Sequence, residues 1–183
     1  DIYGFSELPC NEEQSKSPLN PYGLSKLQAW QNALAYQDII PCIDARFFML
    51  YGPGQNNNTF LGGLISSLHR QETFAMTQGE QTRDFTYIQD AVESILHLAT
   101  TETARGQAYN ICTGQPTSLR QTVGILSELS KGLPLVQLGA LPYRENEVYR
   151  LTGNPEKLRA SGYTCATPLK EGLQRTLQPW EEL

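Results

Sequence analysis

The chain has 183 residues, of which 39% are hydrophobic, and its formal net charge at pH 7 is -5. This composition predicts a globular protein with a core, while the negative charge and the lack of an apolar run of about 18 residues disfavour nucleic acid and membrane partners. The four cysteines are far apart and accompanied by only two histidines, which predicts no metal site and no disulfide scaffold and is typical of a reduced, cytoplasmic protein.

The first predicted helix follows a loop rich in Ser, Pro, Glu and Asn that runs to Leu19. Asn20 is a good N-cap, Pro21 suits the first turn, and apolar residues recur every three or four positions, which predicts a helix from about Pro21 to Tyr36. The next stretch, CIDARFFMLYGPGQ, is a short apolar run stopped by Gly and Pro, and it predicts one buried strand that enters a loop. This alternation of strand and helix indicates an α/β sheet.

The rest of the chain continues the alternation. We predict further helices in TFLGGLISSLHRQ, in AVESILHLAT with Asp90 as its cap, in SLRQTVGILSELSKG with Gly132 as its stop, in NPEKLRASGY and in PLKEGLQRTLQPW. Two short strands are predicted about a Gln78-Gly79 turn, and another in QAYNICTG. The helix after Asp90 carries one apolar stripe, formed by Val92, Ile95, Leu96 and Ala99.

Two side chains of the first helix form a pair with chemical meaning. Tyr22 and Lys26 are four residues apart, so they lie on one face of the helix, one turn from each other. A phenol titrates only near pH 10, but an ammonium about 4 Å away in a partly buried site stabilises a phenolate by roughly 4 kcal/mol. Such a tyrosine can take a proton from an alcohol while a hydride leaves the same carbon. Taken alone, such a spacing is in most cases an ordinary contact on a helix surface.

Five motifs occur together in this chain: NPYGLSKL, ARFFMLYGPGQ, QTRDFTYIQDAVESI, AYNICTG and KEGLQRTLQPW. Their order and spacing resemble those of the extended short-chain dehydrogenase/reductases, and among these the NAD-dependent nucleotide-sugar epimerases and dehydratases. The resemblance covers nearly the whole chain. It implies an α/β fold, in which residues 1–55 and 84–114 are the C-terminal part of a Rossmann-type doubly wound parallel sheet. Residues 56–83 and 115–183 would form a small α/β domain that binds the nucleotide sugar.

The resemblance also implies a reaction. The substrate would be a nucleotide-diphosphate sugar, oxidised transiently at C4, and the cofactor would be NAD rather than NADP. Tyr22 would act as the catalytic base, and Lys26 would activate it and bind the nicotinamide ribose. Phe47, Phe48 and Leu50 would line the cofactor side of the site, although the two phenylalanines fit a role in the strand core equally well.

Five further residues match positions at which the family contacts its substrate. Arg83 and Arg144 would bind the diphosphate, because guanidinium groups suit phosphate oxygens. Asn110 would lie near the nucleotide, and Met76 would lie where members hold the base. Met49 stands where many members have an asparagine that binds the diphosphate. Methionine cannot donate that hydrogen bond, so Met49 narrows the substrate subgroup.

Structural alternatives stay open for three of these residues. Arg83 also fits a salt bridge within a turn, with Asp84 as its partner. Arg144 fits a solvated face, since the family motif at this point is usually R-P-G-D and the chain reads RENE. Met76 fits an ordinary core position.

Two features of the family are not found in this sequence. No G-x-G-x-x-G or G-x-x-G-x-x-G run opens a helix, and such a run holds the pyrophosphate of NAD. The family's catalytic Ser or Thr lies four residues before a Tyr-Gly pair, which here is Tyr3-Gly4, so the hydroxyl would precede residue 1. We therefore expect the chain to be the C-terminal portion of a longer enzyme and to be inactive alone.

Alternative functions remain open. One is a 4,6-dehydratase or a reductase of the same family. Dehydratases carry an Asp-Glu pair after the catalytic Thr. Only the last of these positions falls in this chain, and it is Asp1 instead of Glu, which favours an epimerase or a reductase. Another is a truncated, non-catalytic binding module that retains no NAD. Members of this family commonly dimerise through the helix that corresponds to that of Tyr22, so we expect a homodimer.

Overall fold

The computed structural model describes residues 2–5, 8–130 and 135–178. The helices within these ranges are α1 Pro21–Leu34, α2 Phe60–Arg70, α3 Ile88–Thr100, α4 Leu119–Leu129, α5 Glu156–Ala160 and α6 Leu169–Thr176. The strands are β1 Asp44–Phe47, β2 Met49–Tyr51, β3 Thr73–Met76, β4 Thr82–Tyr87, β5 Ala108–Ile111, β6 Pro116–Ser118, β7 Leu135–Leu138 and β8 Arg150–Leu151. In the described ranges, no helix is both long and apolar enough to span a bilayer.

The strands pair mostly in parallel. β1 pairs with β5, and β3 pairs with β7, each in parallel register. β4 lies between β2 and β6, with β8 as a further neighbour, and only its pairing with β6 is antiparallel. Parallel strands require crossover connections, which the helices supply here. The α/β class with a largely parallel sheet is therefore confirmed.

Helix α1 begins as the sequence predicts. The Asn20 side chain accepts a hydrogen bond of 2.8 Å from the backbone N–H of Gly23, and Pro21 occupies the first turn. The helix ends at Leu34, two residues before the predicted Tyr36. The cap fixes the start because it satisfies an N–H that has no partner inside the helix.

The apolar run CIDARFFMLYGPGQ forms two strands, whereas one was predicted. β1 ends at Phe47 and β2 begins at Met49, because the backbone changes partner at Phe48, from β5 to β4. A similar difference appears around the Gln78-Gly79 turn. The two strands predicted there are present as β3 and β4, but they pair with other strands rather than with each other.

Asp90 does not cap α3, contrary to the prediction. The N-cap is Tyr87, and Asp90 lies within the first turn of the helix. Its buried carboxylate accepts hydrogen bonds from the backbone N–H and the hydroxyl of Thr167, at 2.9 and 2.8 Å. A carboxylate in the first turn is also favoured by the helix dipole, so this position suits the residue even without a capping bond.

The buried residues form two clusters, one around β2 and β4 with α2, α4 and α6, and one around β1 and β5 with α3. Helix α3 buries Ala91, Ser94 and Leu98, so the stripe predicted for this helix lies on its exposed side. Leu158 and Cys165 pack in the β1–β5 cluster, although their segment was predicted to belong to the second domain. The predicted domain boundaries stay a prediction. Gly132 and Trp180 lie outside the described residues.

Candidate active site

A cavity of about 690 Å³ lies between α1 and strand β1. Its lining brings together five of the predicted site residues: Tyr22, Lys26, Phe47, Phe48 and Leu50. The first two come from the face of α1 and the others from β1, β2 and the residue between them. The predicted catalytic pair and the predicted cofactor side therefore share one cavity.

The first turns of α1 hold the predicted catalytic pair, Tyr22 and Lys26. The Lys26 Nζ lies 5.1 Å from the centroid of the Tyr22 ring, as expected for residues one turn apart. The Tyr22 side chain is 59% exposed, and no described residue hydrogen-bonds to its hydroxyl. Both functional groups are thus open to a ligand in the cavity.

The cavity has a charged part that the sequence analysis missed. Asp44, Arg46 and Tyr3 also line it, and Arg46 is buried. Arg46 Nε donates to Asp44 Oδ2 at 2.7 Å, and Nη1 donates to the Tyr3 hydroxyl at 3.0 Å. Burial raises the pKa of Tyr3 to about 12, so the phenol stays neutral at physiological pH. The sequence offered one sign of this group, because Arg46 is a charged residue within an apolar run that was predicted to be a buried strand.

Asn110 lies behind this part of the cavity, fully buried in β5. Its Oδ1 accepts a 2.6 Å hydrogen bond from the Tyr3 hydroxyl, and its Nδ2 donates to the carbonyl of Cys10 at 2.8 Å. Its backbone N–H donates to Glu12 Oε1 at 2.7 Å. Protein groups therefore occupy its side chain, and a substrate contact by Asn110 stays a prediction.

The two methionines predicted near the substrate do not line the cavity. Met76 is 4% exposed and belongs to the cluster around β2 and β4, against which the partly buried Met49 also packs. These positions suit apolar side chains that fill a core. Their contact with a substrate stays a prediction.

Arg83 is half-buried and held by protein groups on β4 and before β8. Its Nη1 donates to the carbonyls of Thr82 and Val148, each at 2.8 Å, and its Nη2 forms an ion pair with Glu147. The alternative of a salt bridge with Asp84 is wrong, because the strand directs Asp84 to the opposite side and into the interior. Glu147 was missed from sequence, although it lies where the family motif R-P-G-D ends.

Asp84 instead joins three segments through one buried carboxylate. It accepts hydrogen bonds from the N–H and hydroxyl of Thr113 at 2.9 and 2.7 Å, and from the N–H groups of Gly114 and Gly153 at 2.9 and 3.2 Å. Burial raises the pKa of Asp84, and these four donors oppose that rise. Strand β4 is thereby fixed to the segment that follows β8, beside Arg83.

Arg144 is exposed and lies three residues before Glu147, the ion-pair partner of Arg83. Its carbonyl accepts a 3.1 Å hydrogen bond from the N–H of Glu147, and its guanidinium has no partner in the part of the chain that the structure describes. Leu151 in β8 is the register partner of Arg83 and also lines the cavity. Neither Arg83 nor Arg144 itself lines the cavity, and Leu151 is the connection between β8 and the cavity.

The described residues contain no cluster of three or more His, Cys, Asp or Glu side chains that could hold a metal ion. The four cysteines are free, and three of them are buried. The polar groups that line the cavity include the Tyr22 hydroxyl, the Lys26 ammonium and the paired side chains of Arg46 and Asp44.

Comparison with known proteins identifies relatives along the whole chain. The model of the NAD dependent epimerase/dehydratase family matches residues 1–112. The chain is 32% identical to the Uncharacterized UDP-glucose epimerase YtcB of Bacillus subtilis, in an alignment that covers 94% of this chain and 55% of that protein. It is 29% identical to GDP-6-deoxy-D-mannose reductase of Pseudomonas aeruginosa, with 99% of this chain and 63% of that protein covered.

A solved structure gives the same result. The structure of MoeE5 in complex with UDP-glucuronic acid and NAD superposes with a TM-score of 0.88 at 31% identity, covering 96% of this chain and 60% of that chain. The chain thus spans between 55% and 63% of the length of these three proteins. Because the family model matches more than half of the residues, and the fold and motifs agree with it, the chain belongs to the NAD dependent epimerase/dehydratase family of extended short-chain dehydrogenase/reductases.

Proposed function

We propose that this chain provides the catalytic base and the substrate side of an NAD-dependent epimerase that acts on a nucleotide-diphosphate sugar through transient oxidation at C4. The proposal concerns a full-length protein that adds the part of the relatives that this chain does not cover. The observation that carries it is the cavity shared by Tyr22, Lys26, Phe47, Phe48 and Leu50.

Tyr22 is the proposed base because its hydroxyl is open to the cavity and a cation lies beside it. The Lys26 ammonium lies 5.1 Å from the centroid of the Tyr22 ring, on the same face of α1. In the proposed reaction, Tyr22 takes the proton of the sugar hydroxyl at C4 as the C–H bond of that carbon breaks. When a hydride returns to either face of the oxidised C4, Tyr22 would return the proton to the oxygen of that carbon.

The residues of the cavity fit the nicotinamide end of NAD. Phe47 is 39% exposed and, with Phe48 and Leu50, offers an apolar wall, while Lys26 offers donors for ribose hydroxyls. Bound there, NAD supplies an acceptor for the hydride of C4. The chain has no glycine-rich turn, so the pyrophosphate and adenosine would be held by residues outside it. The preference for NAD over NADP stays a prediction.

The diphosphate of the substrate would bind Arg83 and Arg144. Arg144 supports this role because its guanidinium is exposed and unpaired among the described residues, and Arg83 because two carbonyls hold its guanidinium in a fixed orientation. Two fixed or available guanidinium groups suit an anion with two phosphates. Asn110 supports the site from behind, since its hydrogen bond orients Tyr3 on the cavity wall.

A reductase or a 4,6-dehydratase of the same family is the second candidate. The similarity to GDP-6-deoxy-D-mannose reductase favours the reductase, and all three reactions would use Tyr22 at the same carbon. The reaction products separate them: an epimerase returns a sugar of equal mass, a dehydratase loses water and a reductase consumes reduced cofactor. A binding module without catalysis would retain no NAD and convert no nucleotide sugar.

A homodimer through α1 is part of the proposal. Only Gly23 of this helix is buried, and apolar side chains such as Leu24, which is 47% exposed, face outward. A helix with so little burial in its own chain is a candidate for packing against a second copy. The cytoplasmic location stays a prediction.

Replacement of Lys26 by methionine tests the catalytic pair. Methionine keeps the length of the side chain but removes the charge, so the full-length enzyme should lose about tenfold or more in turnover rate and should bind NAD more weakly. Lys170→Met is the matched control, because Lys170 lies on α6 and does not line the cavity. Enzyme assays and calorimetry with NAD measure both effects. An unchanged NAD affinity would exclude the ribose contact.

Replacement of either arginine by alanine tests the diphosphate site. Arg83→Ala or Arg144→Ala should weaken binding of the nucleotide sugar by about 1.5 to 3 kcal/mol, the scale of a charge-assisted hydrogen bond. Arg159→Ala on α5, where the arginine pairs with Glu156, should leave the affinity unchanged. Calorimetry with the nucleotide sugar distinguishes the variants, and equal affinity of parent and arginine variants would contradict the assignment.

A further inference from the structure

The ion pair between Arg83 and Glu147 places a negative charge inside the proposed diphosphate site. The two side chains are only 13% and 14% exposed, so water screens their charges less than at an open surface. Glu147 is held in place on its other side, where its backbone N–H donates to the carbonyl of Arg144 at 3.1 Å. The carboxylate is therefore a fixed part of the site.

Arg83 still has hydrogen-bond donors for a ligand. Its Nη1 is used by the carbonyls of Thr82 and Val148, and one N–H of Nη2 is used by Glu147. The Nε–H and the second N–H of Nη2 have no acceptor among the described residues. A phosphate that binds these two donors would lie beside the carboxylate of Glu147, on the same guanidinium, and would experience its repulsion.

The number of phosphate charges then matters. Each phosphate of a nucleotide sugar is an ester on one side and is joined to the other phosphate by an anhydride bond, so each carries one charge and the diphosphate carries two. A free nucleoside diphosphate has a terminal phosphate with a second ionisation near pH 6, and it carries about three charges at neutral pH. Because Glu147 offsets part of the charge of Arg83, a third phosphate charge at this guanidinium would have no further cation in the pair and would lie close to a carboxylate.

We propose that Glu147 is a specificity residue, which makes the diphosphate site prefer the diester of a nucleotide sugar to a free nucleoside diphosphate. This inference rests on the proposed function, since it needs the diphosphate to bind at Arg83. Contacts to the base and the ribose cannot distinguish the nucleotide sugar from the free nucleotide, so we assign this discrimination to Glu147. The free nucleotide shares the base, the ribose and both phosphates with the substrate, and it differs at its terminus by one charge.

The test uses pairs of probes that differ only in that charge. UDP, dTDP, GDP and CDP, and the methyl ester of each at the terminal phosphate, are titrated into the full-length protein by calorimetry. The parent should bind the methyl ester at least as tightly as the free diphosphate. Glu147→Gln should shift the ratio of affinities toward the free diphosphate by about three- to tenfold, the effect of removing one charge about 5 Å away.

Two variants separate charge at this position from other effects. Glu145→Gln makes the same change of charge two residues away, at an exposed side chain, and should shift the ratio by less than about twofold. Glu147→Asp keeps the charge and should keep the ratio of the parent. A role of Glu147 in structure alone would change the affinity for both members of a probe pair equally, and that result would overturn the proposal.

The remaining outcomes are also decisive. Tighter binding of the free diphosphate than of its methyl ester to the parent would overturn the proposal even if Glu147→Gln does not fold. Binding of both probes with no change of ratio in Glu147→Gln would overturn the role of Glu147 and leave the proposed function intact. A parent that binds none of the eight probes and converts no nucleotide sugar would overturn both.

Discussion

Replacement of Tyr22 by phenylalanine should abolish turnover of the full-length enzyme and leave its fold intact. The substitution removes one hydroxyl, which is not hydrogen-bonded to any described residue, from a side chain that is 59% exposed. The folded state therefore loses no contact of its own. The reaction loses the group that takes the proton, and general acid–base catalysis contributes roughly a hundredfold or more to the rate.

Tyr36→Phe provides a matched control for this experiment. Tyr36 follows the same helix, is 62% exposed and does not line the cavity, so the loss of its hydroxyl should leave the rate unchanged. Circular dichroism and thermal unfolding would show whether both variants fold like the parent. A Tyr22→Phe enzyme that keeps more than about a tenth of the parent rate would contradict the assignment of Tyr22 as the base.

The 183-residue chain expressed alone should bind no NAD and should associate in solution. Among the described residues, β1 pairs only with β5, so its other edge is open, and the cavity beside it exposes Phe47. Unpaired strand edges and apolar patches of this kind promote association. A second apolar surface lies on α3, where the exposed side chains include Ile88, Val92, Ile95 and Leu96.

Light scattering gives the mass of the isolated chain, and titration with NAD while protein fluorescence is followed gives its cofactor affinity. The full-length protein, treated in the same way, is the control that should bind NAD. A monodisperse monomer of the isolated chain that binds NAD at micromolar concentration would show that the remaining part of the relatives is not needed for the cofactor.

Local signals made much of the fold predictable. Asn20 and Pro21 defined the start of α1 because a cap and a proline act through bonds within one turn. The approach of Tyr22 and Lys26 followed from helical spacing alone. The α/β class followed from the alternation of short apolar runs with helical patterns.

Features that depend on distant parts of the chain were not predictable in this way. The break at Phe48 arises because β1 and β2 pair with different strands, which are far away in sequence. Asp90 accepts a hydrogen bond from Thr167, 77 positions later in the chain. Arg83 forms an ion pair with Glu147, 64 positions later. The stripe on α3 was visible as a pattern, but which face of the helix is buried depends on the neighbours that pack against it.

We expect Tyr22 to take a proton from the hydroxyl of a sugar carbon that is oxidised in the same step. The most direct measurement is a single-turnover reaction of the full-length enzyme, loaded with NAD, with UDP-, dTDP-, GDP- and CDP-sugars that carry hydrogen or deuterium at C4. The deuterated form of the converted sugar should react severalfold more slowly, because the C4–H bond breaks, and Tyr22→Phe should convert neither form. Equal rates for the two forms, or conversion of both by Tyr22→Phe, would contradict this expectation.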